Sequence, residues 1–253
     1  MTSVFKKNKK LLILIVVLIS AAVVYIFNPY KLEYIGHQPK VWAHRVNSLD
    51  KLNYTQKFYS GVELDVVFDS ITNTFDVNHP PALSVGLNLD TYFSEITNKE
   101  VKLWLDFKNL SEDNAQKSAE VVDRLAKKHG LKNENILIES TEIHNLQIFK
   151  SKGFKTSFYL PQLVALANET TLVPTIDSIK QLLVKYPTSG ISSNVNAYEV
   201  VNKYFKNETK YLWHTYKPYS RHQIKNYRDF RKYVSDATVE AVLIQVALPV
   251  GNR

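Results

Sequence analysis

From Val41 onward the chain alternates between two hydrophobic rhythms. Short runs rich in apolar residues read as strands buried on both faces: VWAH (41–44), GVELDVVFD (61–69), VKLWLDFKNL (101–110), NILIES (135–140), KTSFYLP (155–161), GISSNV (190–195), KYLWHTY (210–216) and VEAVLIQVAL (239–248). Between them, apolar residues recur at three- and four-residue spacing, which predicts helices over 48–59, 87–96, 111–130, 141–153, 175–186, 196–205 and 220–236. The clearest is 111–130. Ser111 can cap it, Glu112 and Asp113 suit its first turn, and Lys127, Lys128 and Gly130 mark its end.

Strand–helix alternation implies βα units and a parallel sheet. Eight strands within about 210 residues predict an α/β fold, a closed (β/α)8 TIM barrel over 41–253, with an open doubly wound sheet as the alternative. Neither GxGxxG nor GxxxxGK occurs, and seven glycines in 253 residues leave little material for a phosphate-cradling loop.

The first forty residues follow a different pattern. Residues 1–10 are basic, 11–27 form the uncharged run LLILIVVLISAAVVYIF, and 28–40 read as a linker with Pro29 and Pro39. The run predicts a transmembrane anchor, and the lysines before it predict a cytoplasmic N-terminus with the domain outside. A cleaved signal peptide ending near Ser20-Ala21-Ala22, and hence secretion, is the rival expectation.

Composition narrows the chemistry. The net charge is +8, of which Lys6, Lys7, Lys9 and Lys10 carry four, and the mildly basic remainder gives no indication of nucleic acid. With no cysteine there is no disulfide and no thiolate metal site, so any ion must be held by carboxylates or imidazoles. Four Asn-x-Ser/Thr sequons stand at Asn53, Asn109, Asn168 and Asn207.

Carboxylates inside strands single out one region. Strand alternation puts Glu63 and Asp65 on one face of 61–69, and Trp104, Asp106 and Lys108 on one face of 101–110. Buried carboxylates without a counter-charge are costly. Three converging at the C-terminal ends of barrel strands make an all-oxygen site for one hard divalent cation, Mg2+ or Ca2+. The competing expectation is that Glu63 and Asp65 pair with Arg45 and Lys108 and hold no ion. His44 ends the first strand and His79 lies in the loop NHPP, where imidazoles can exchange protons near neutral pH. Trp213 and His214 stand near the end of the seventh strand, where either can line the mouth; His37, His129, His144 and His222 lie in the linker or in helices.

His-Arg after the first strand, ExD on the second, a histidine in the next loop and a carboxylate two before a lysine on the third together resemble the glycerophosphodiester phosphodiesterase superfamily. WAHRVNS, ELD, NHPP and LDFK are similar in detail to the menorin (FAM151) branch, over residues 41–110. The resemblance implies a barrel enzyme with one divalent cation on Glu63, Asp65 and Asp106. It implies His44 and His79 as general acid and base, and Arg45 and Lys108 on phosphate oxygens, with Asn47 of the same pattern as a pocket residue. The implied substrate is a glycerophosphodiester or a lysophospholipid head group. Departures stand beside it: Val46 and Pro80 replace the glycine and aspartate usual in the diesterases, and Asp106 replaces a common glutamate. A ligand- or partner-binding barrel without turnover, as in the menorin branch, is the alternative function.

Overall fold

The computed structural model describes residues 2–27, 30–161, 169–214 and 223–248. Residues 28–29 of the expected linker, 215–216 of the expected seventh strand, 220–222 at the start of the last helix, His222 and the Asn168 sequon lie outside them.

Nine strands form one sheet: β1 (Val41–His44), β2 (Gly61–Asp69), β3 (Thr74–Val77), β4 (Lys102–Phe107), β5 (Ile136–Ser140), β6 (Lys155–Tyr159), β7 (Gly190–Asn194), β8 (Lys210–Trp213) and β9 (Val239–Gln245). Eight of them are parallel and run in the order β1-β9-β8-β7-β6-β5-β4-β2, and the β1–β2 pairing closes the ring. A closed TIM-type barrel is the result, and the open-sheet alternative is set aside. Between the strands lie α2 (Leu49–Thr55), α3 (Leu89–Ser94), α4 (Glu112–Lys128), α5 (Leu146–Ser151), α6 (Glu169–Lys185), α7 (Tyr198–Tyr204) and α8 (Gln223–Ser235). Ser111 caps α4 through a reciprocal box with Asn114, and buried Ala115, Ala119, Val122 and Ala126 carry the helix onto the sheet.

β3 is an addition to the sequence expectation. It pairs antiparallel with the outer half of β2, from Val66↔Val77 to Asp69↔Thr74. Only Phe75 and Val77 of this strand are buried, too short an apolar alternation to stand out in the sequence. Its consequence is positional: the chain climbs past the barrel rim on β2 and returns on β3, so His79 comes back to the level of Asp65, where Asn78 N donates to Asp65 O.

The N-terminal segment forms a helix, α1 (Thr2–Phe27). Among the described residues, however, no helix is long and apolar enough to cross a membrane. The anchor expected at 11–27, with a cytoplasmic N-terminus and the domain outside, is therefore corrected. Length is the physical reason. The uncharged run begins directly after Lys9 and Lys10, and its span to Phe27 rises only about 26 Å against a hydrocarbon core of ~30 Å.

The barrel interior is filled by large side chains. Trp42, Trp104, Leu137, Tyr211, Ala241 and Leu243 form a buried cluster, with Trp42–Trp104 and Trp104–Tyr211 ring centroids 6.4 and 5.5 Å apart, both edge-on. Glycine makes room for it: a Cβ at Gly61 would collide with the Trp42 indole, and one at Gly190 would lie 2.8 Å from the Tyr211 ring. The cluster is the floor on which the polar site rests.

Candidate active site

Above the aromatic floor, the C-terminal strand ends line one pocket with His44, Arg45, Glu63, Asp65, His79, Trp104, Asp106, Lys108, Glu139, Tyr159, Trp213 and Leu243. Register explains the grouping. Asp65 pairs with Asp106 and Asp106 with Glu139, so three inward acids sit side by side on β2, β4 and β5. Glu63 lies one inward step deeper on β2 and is 2% exposed. Glu63, Asp65 and Asp106 each bring a carboxylate oxygen within 4.8 Å of the other two.

Each acid is held in place. Asp65 Oδ2 accepts from Asn47 Nδ2 at 2.6 Å, and Asn47 Oδ1 accepts from Asp65 N at 3.0 Å. Asn47 thus clamps Asp65 from outside the pocket lining. Glu63 Oε2 accepts from Arg45 N at 2.5 Å. Arg45 sits at φ 52, a region costly for a residue with a side chain. That turn is fastened twice: Val46 N donates to Glu63 O, and Lys51 Nζ donates to the carbonyls of His44 and Arg45 at 2.7 and 2.9 Å. Its effect is to send the Arg45 guanidinium to His79, where Nη2 donates to Nε2 at 3.0 Å.

Lys108 is shared between acids. Its ammonium lies 2.7 Å from Asp65 Oδ1 and makes a closer ion pair with Asp106 Oδ2. Arg45 and Lys108 are the cationic side chains of the pocket lining, against four carboxylates. The imbalance shows in the titration of the groups. Burial first, then the charges of Asp65 and Asp106, pushes Glu63 well up from the usual carboxylate range. Burial and Asp106 do the same to Glu139. Asp106 is raised by burial despite Lys108. Burial lowers Lys108, yet Asp106 and Asp65 outweigh it and leave the ammonium held more firmly than usual. Ions of like sign crowded into a half-dry site call for further positive charge. The donors are all oxygen, the chemistry of a hard divalent cation, so the triad fits Mg2+ or Ca2+.

The two histidines stand beside the acids at different depths. His44 is buried, with Nε2 3.7 Å from Glu63 Oε2. Burial, followed by the Arg45 charge, pushes it down to about 3, so the ring is neutral near pH 7. Gln245 Nε2 lies 3.0 Å from His44 Nδ1, as the His44↔Gln245 register requires. His79 is half-buried on the rim, with Nε2 4.0 Å from Asp65 Oδ1. Trp213 lines the wall, 6.0 Å from Tyr159 between ring centroids. The His214 backbone is bonded to the His44 ring, and burial pushes its side chain down to about 4.

The structure thus brings His44, Arg45, Glu63, Asp65, His79, Asp106, Lys108 and Trp213 into one pocket, with Asn47 and His214 just outside it. Sequence reasoning missed Glu139, Tyr159, Lys51 and Gln245. Glu139 was open to the same logic as Glu63, being an acid in an apolar strand, ILIES.

No known family matches the chain, and no curated protein is similar to it in sequence. Solved structures are similar in fold. A glycerophosphodiester phosphodiesterase from Parabacteroides distasonis superposes with a TM-score of 0.59 at 14% identity, over 85% of this chain and 95% of the other. An Oleispira antarctica phosphodiesterase, in complex with the product sn-glycerol-3-phosphate, superposes with a TM-score of 0.55 at 14% identity, over 81% and 92%. The class that emerges is a TIM barrel with the fold of the glycerophosphodiester phosphodiesterases. The menorin branch finds no counterpart among these similar structures.

Proposed function

We propose that this protein is a divalent-cation-dependent phosphodiesterase acting on glycerophosphodiesters or lysophospholipid-type head groups. The observation that carries it is the meeting of three carboxylates within 4.8 Å of one another and two flanking histidines in one pocket. Glu63, Asp65 and Asp106 would hold Mg2+ or Ca2+, which when bound neutralises the non-bridging phosphate oxygens as charge develops. Arg45 and Lys108 would hold the same phosphate, Lys108 turning to it from Asp65 and Asp106. His44, neutral and fixed by Gln245, and His79, held by Arg45, work as the base and acid pair. One imidazole takes the proton of the attacking hydroxyl or water as its oxygen bonds to phosphorus. The other protonates the alcohol oxygen whose bond to phosphorus breaks.

One observation favours a second function, a menorin-type barrel that binds a ligand without turnover. Lys108 already pairs with Asp65 and Asp106, so the chain has an internal cation for two of its three acids. The test is a panel of phosphodiesters offered to the full chain with Mg2+, Ca2+ or chelator. Turnover that the chelator abolishes is expected, and His44→Ala and His79→Ala each lower it about a hundredfold or more without loss of fold. Absence of turnover with either ion refutes the enzyme and favours the binding barrel.

A further inference from the structure

The pocket has two halves, and only one faces the phosphate chemistry. β1, β2 and β4 carry His44, Glu63, Asp65, Asp106 and Lys108; β5 to β8 carry Glu139, Tyr159, Ser192 and Trp213. In this second half a carboxylate has no counter-ion. Glu139 is 2% exposed, lines the pocket, and stands apart from the three acids whose oxygens lie within 4.8 Å of one another. Ser192 and the Trp104 indole flank it. Even so, Glu139 Oε2, Ser192 Oγ and Trp104 Nε1 all lack a partner at hydrogen-bond geometry. Tyr159 and Trp213, 6.0 Å apart, stand on the wall of the same half.

Charge points the same way. Taken together, a divalent ion, Lys108 and Arg45 match the charges of Glu63, Asp65, Asp106 and a phosphodiester. Glu139 is left over, a buried carboxyl group to which a cationic ligand would bring the missing counter-charge. An acceptor oxygen beside aromatic faces is what an ammonium group meets best, through a charged hydrogen bond and cation–π attraction.

We propose that Glu139, with Tyr159 and Trp213, forms a head-group subsite selecting phosphodiesters whose alcohol carries a primary ammonium, of the ethanolamine type. It rests on the proposed phosphodiesterase function and adds the substrate's second half. A primary ammonium brings N–H donors to Glu139 Oε2. A quaternary ammonium brings charge but no N–H, and a glycerol head brings no charge.

The test compares glycerophosphoethanolamine, glycerophosphocholine and glycerophosphoglycerol on the full chain with saturating Mg2+ or Ca2+. The expected kcat/KM order is ethanolamine over choline over glycerol, with the ethanolamine ester at least about tenfold above the glycerol ester. In Glu139→Gln, still folded by its melt, that ratio falls towards one. An equal ratio in the wild type, or a ratio that Glu139→Gln leaves unchanged, overturns the subsite. If no ester is cleaved, the phosphodiesterase function fails separately, and calorimetric binding of the same three esters reads the subsite alone. Tighter binding of the ethanolamine ester supports it, and equal or absent binding overturns it. The wild-type comparison decides even where Glu139→Gln does not fold.

Discussion

Removing Lys108 separates the two fates open to the buried acids. Three carboxylate oxygens within 4.8 Å repel by at least ~3.5 kcal/mol per pair at an effective dielectric of about 20, or roughly 10 kcal/mol in all. Lys108, 2.7 Å from Asp65, returns ~6 kcal/mol on that pair by the same measure. It is therefore the principal counter-charge of the ion-free protein. Lys108→Met leaves the triad uncompensated, and protonation of the acids limits the cost to about 3 kcal/mol. For a chain of this size that is a fall of about 6–12 °C in the ion-free melt. With Mg2+ or Ca2+ at a hundred times its Kd, binding adds about 2.7 kcal/mol to the wild type. The variant needs no lysine once the ion is in place, so its ion-dependent rise exceeds that of the wild type. Asp65→Asn, lacking one ligand, loses the rise. The assay is thermal denaturation of the three proteins with chelator and with each ion in excess. A wild type with no rise, together with a Lys108→Met deficit equal under both conditions, would falsify the metal site and leave Lys108 as the permanent partner of the acids.

Three further outcomes follow from single contacts. Gln245 decides which His44 nitrogen carries the proton, because its amide can turn either its N–H or its oxygen to Nδ1. Gln245→Leu is expected to lower kcat about 10- to 100-fold while leaving the ion-dependent rise in melting temperature intact; an unchanged kcat rules out the positioning role. Gly61→Ala drives a methyl into the Trp42 indole and should cost about 1–3 kcal/mol in denaturant unfolding, whereas a neutral effect would mean that the aromatic floor yields. His214, pushed by burial down to about 4, lies below its unfolded value, so it favours folding above pH ~6.5 and loses up to ~1.4 kcal/mol per unit as pH falls from there towards 4. His214→Asn should narrow its stability gap to the wild type, or overtake it, across that window; parallel pH profiles for the two proteins contradict the assignment.

The barrel was legible because strand and helix periods alternate cleanly and the strands are apolar on both faces. β3 was not, since Phe75 and Val77 alone carry its pattern. Glu63, Asp65 and Asp106 could be picked out as acids in strands, where burial without compensation is improbable on energetic grounds. Lys51 and Gln245 could not. One fastens a left-handed turn at Arg45 through backbone carbonyls, which no side-chain pattern announces, and the other meets His44 across the β1–β9 seam, a contact that exists only once the ring has closed. The N-terminal run is apolar enough to suggest an anchor, but a lysine pair sits at its start, and the remaining rise falls short of a hydrocarbon core.

The three rings of Trp42, Trp104 and Tyr211 have a consequence for traffic. They stopper the barrel from below, so among the described residues the way into the pocket lies at its rim. Whatever reaches Glu63 and Asp65 must come down past Trp213, Tyr159 and His79, and must leave the same way. In the proposed reaction a cation held by Glu63, Asp65 and Asp106 would share that route with the phosphodiester. A phosphate product lingering on that route would trap the ion and bar the next substrate at once. Turnover in such a pocket is governed by how quickly the last guest departs as much as by the chemistry at its base.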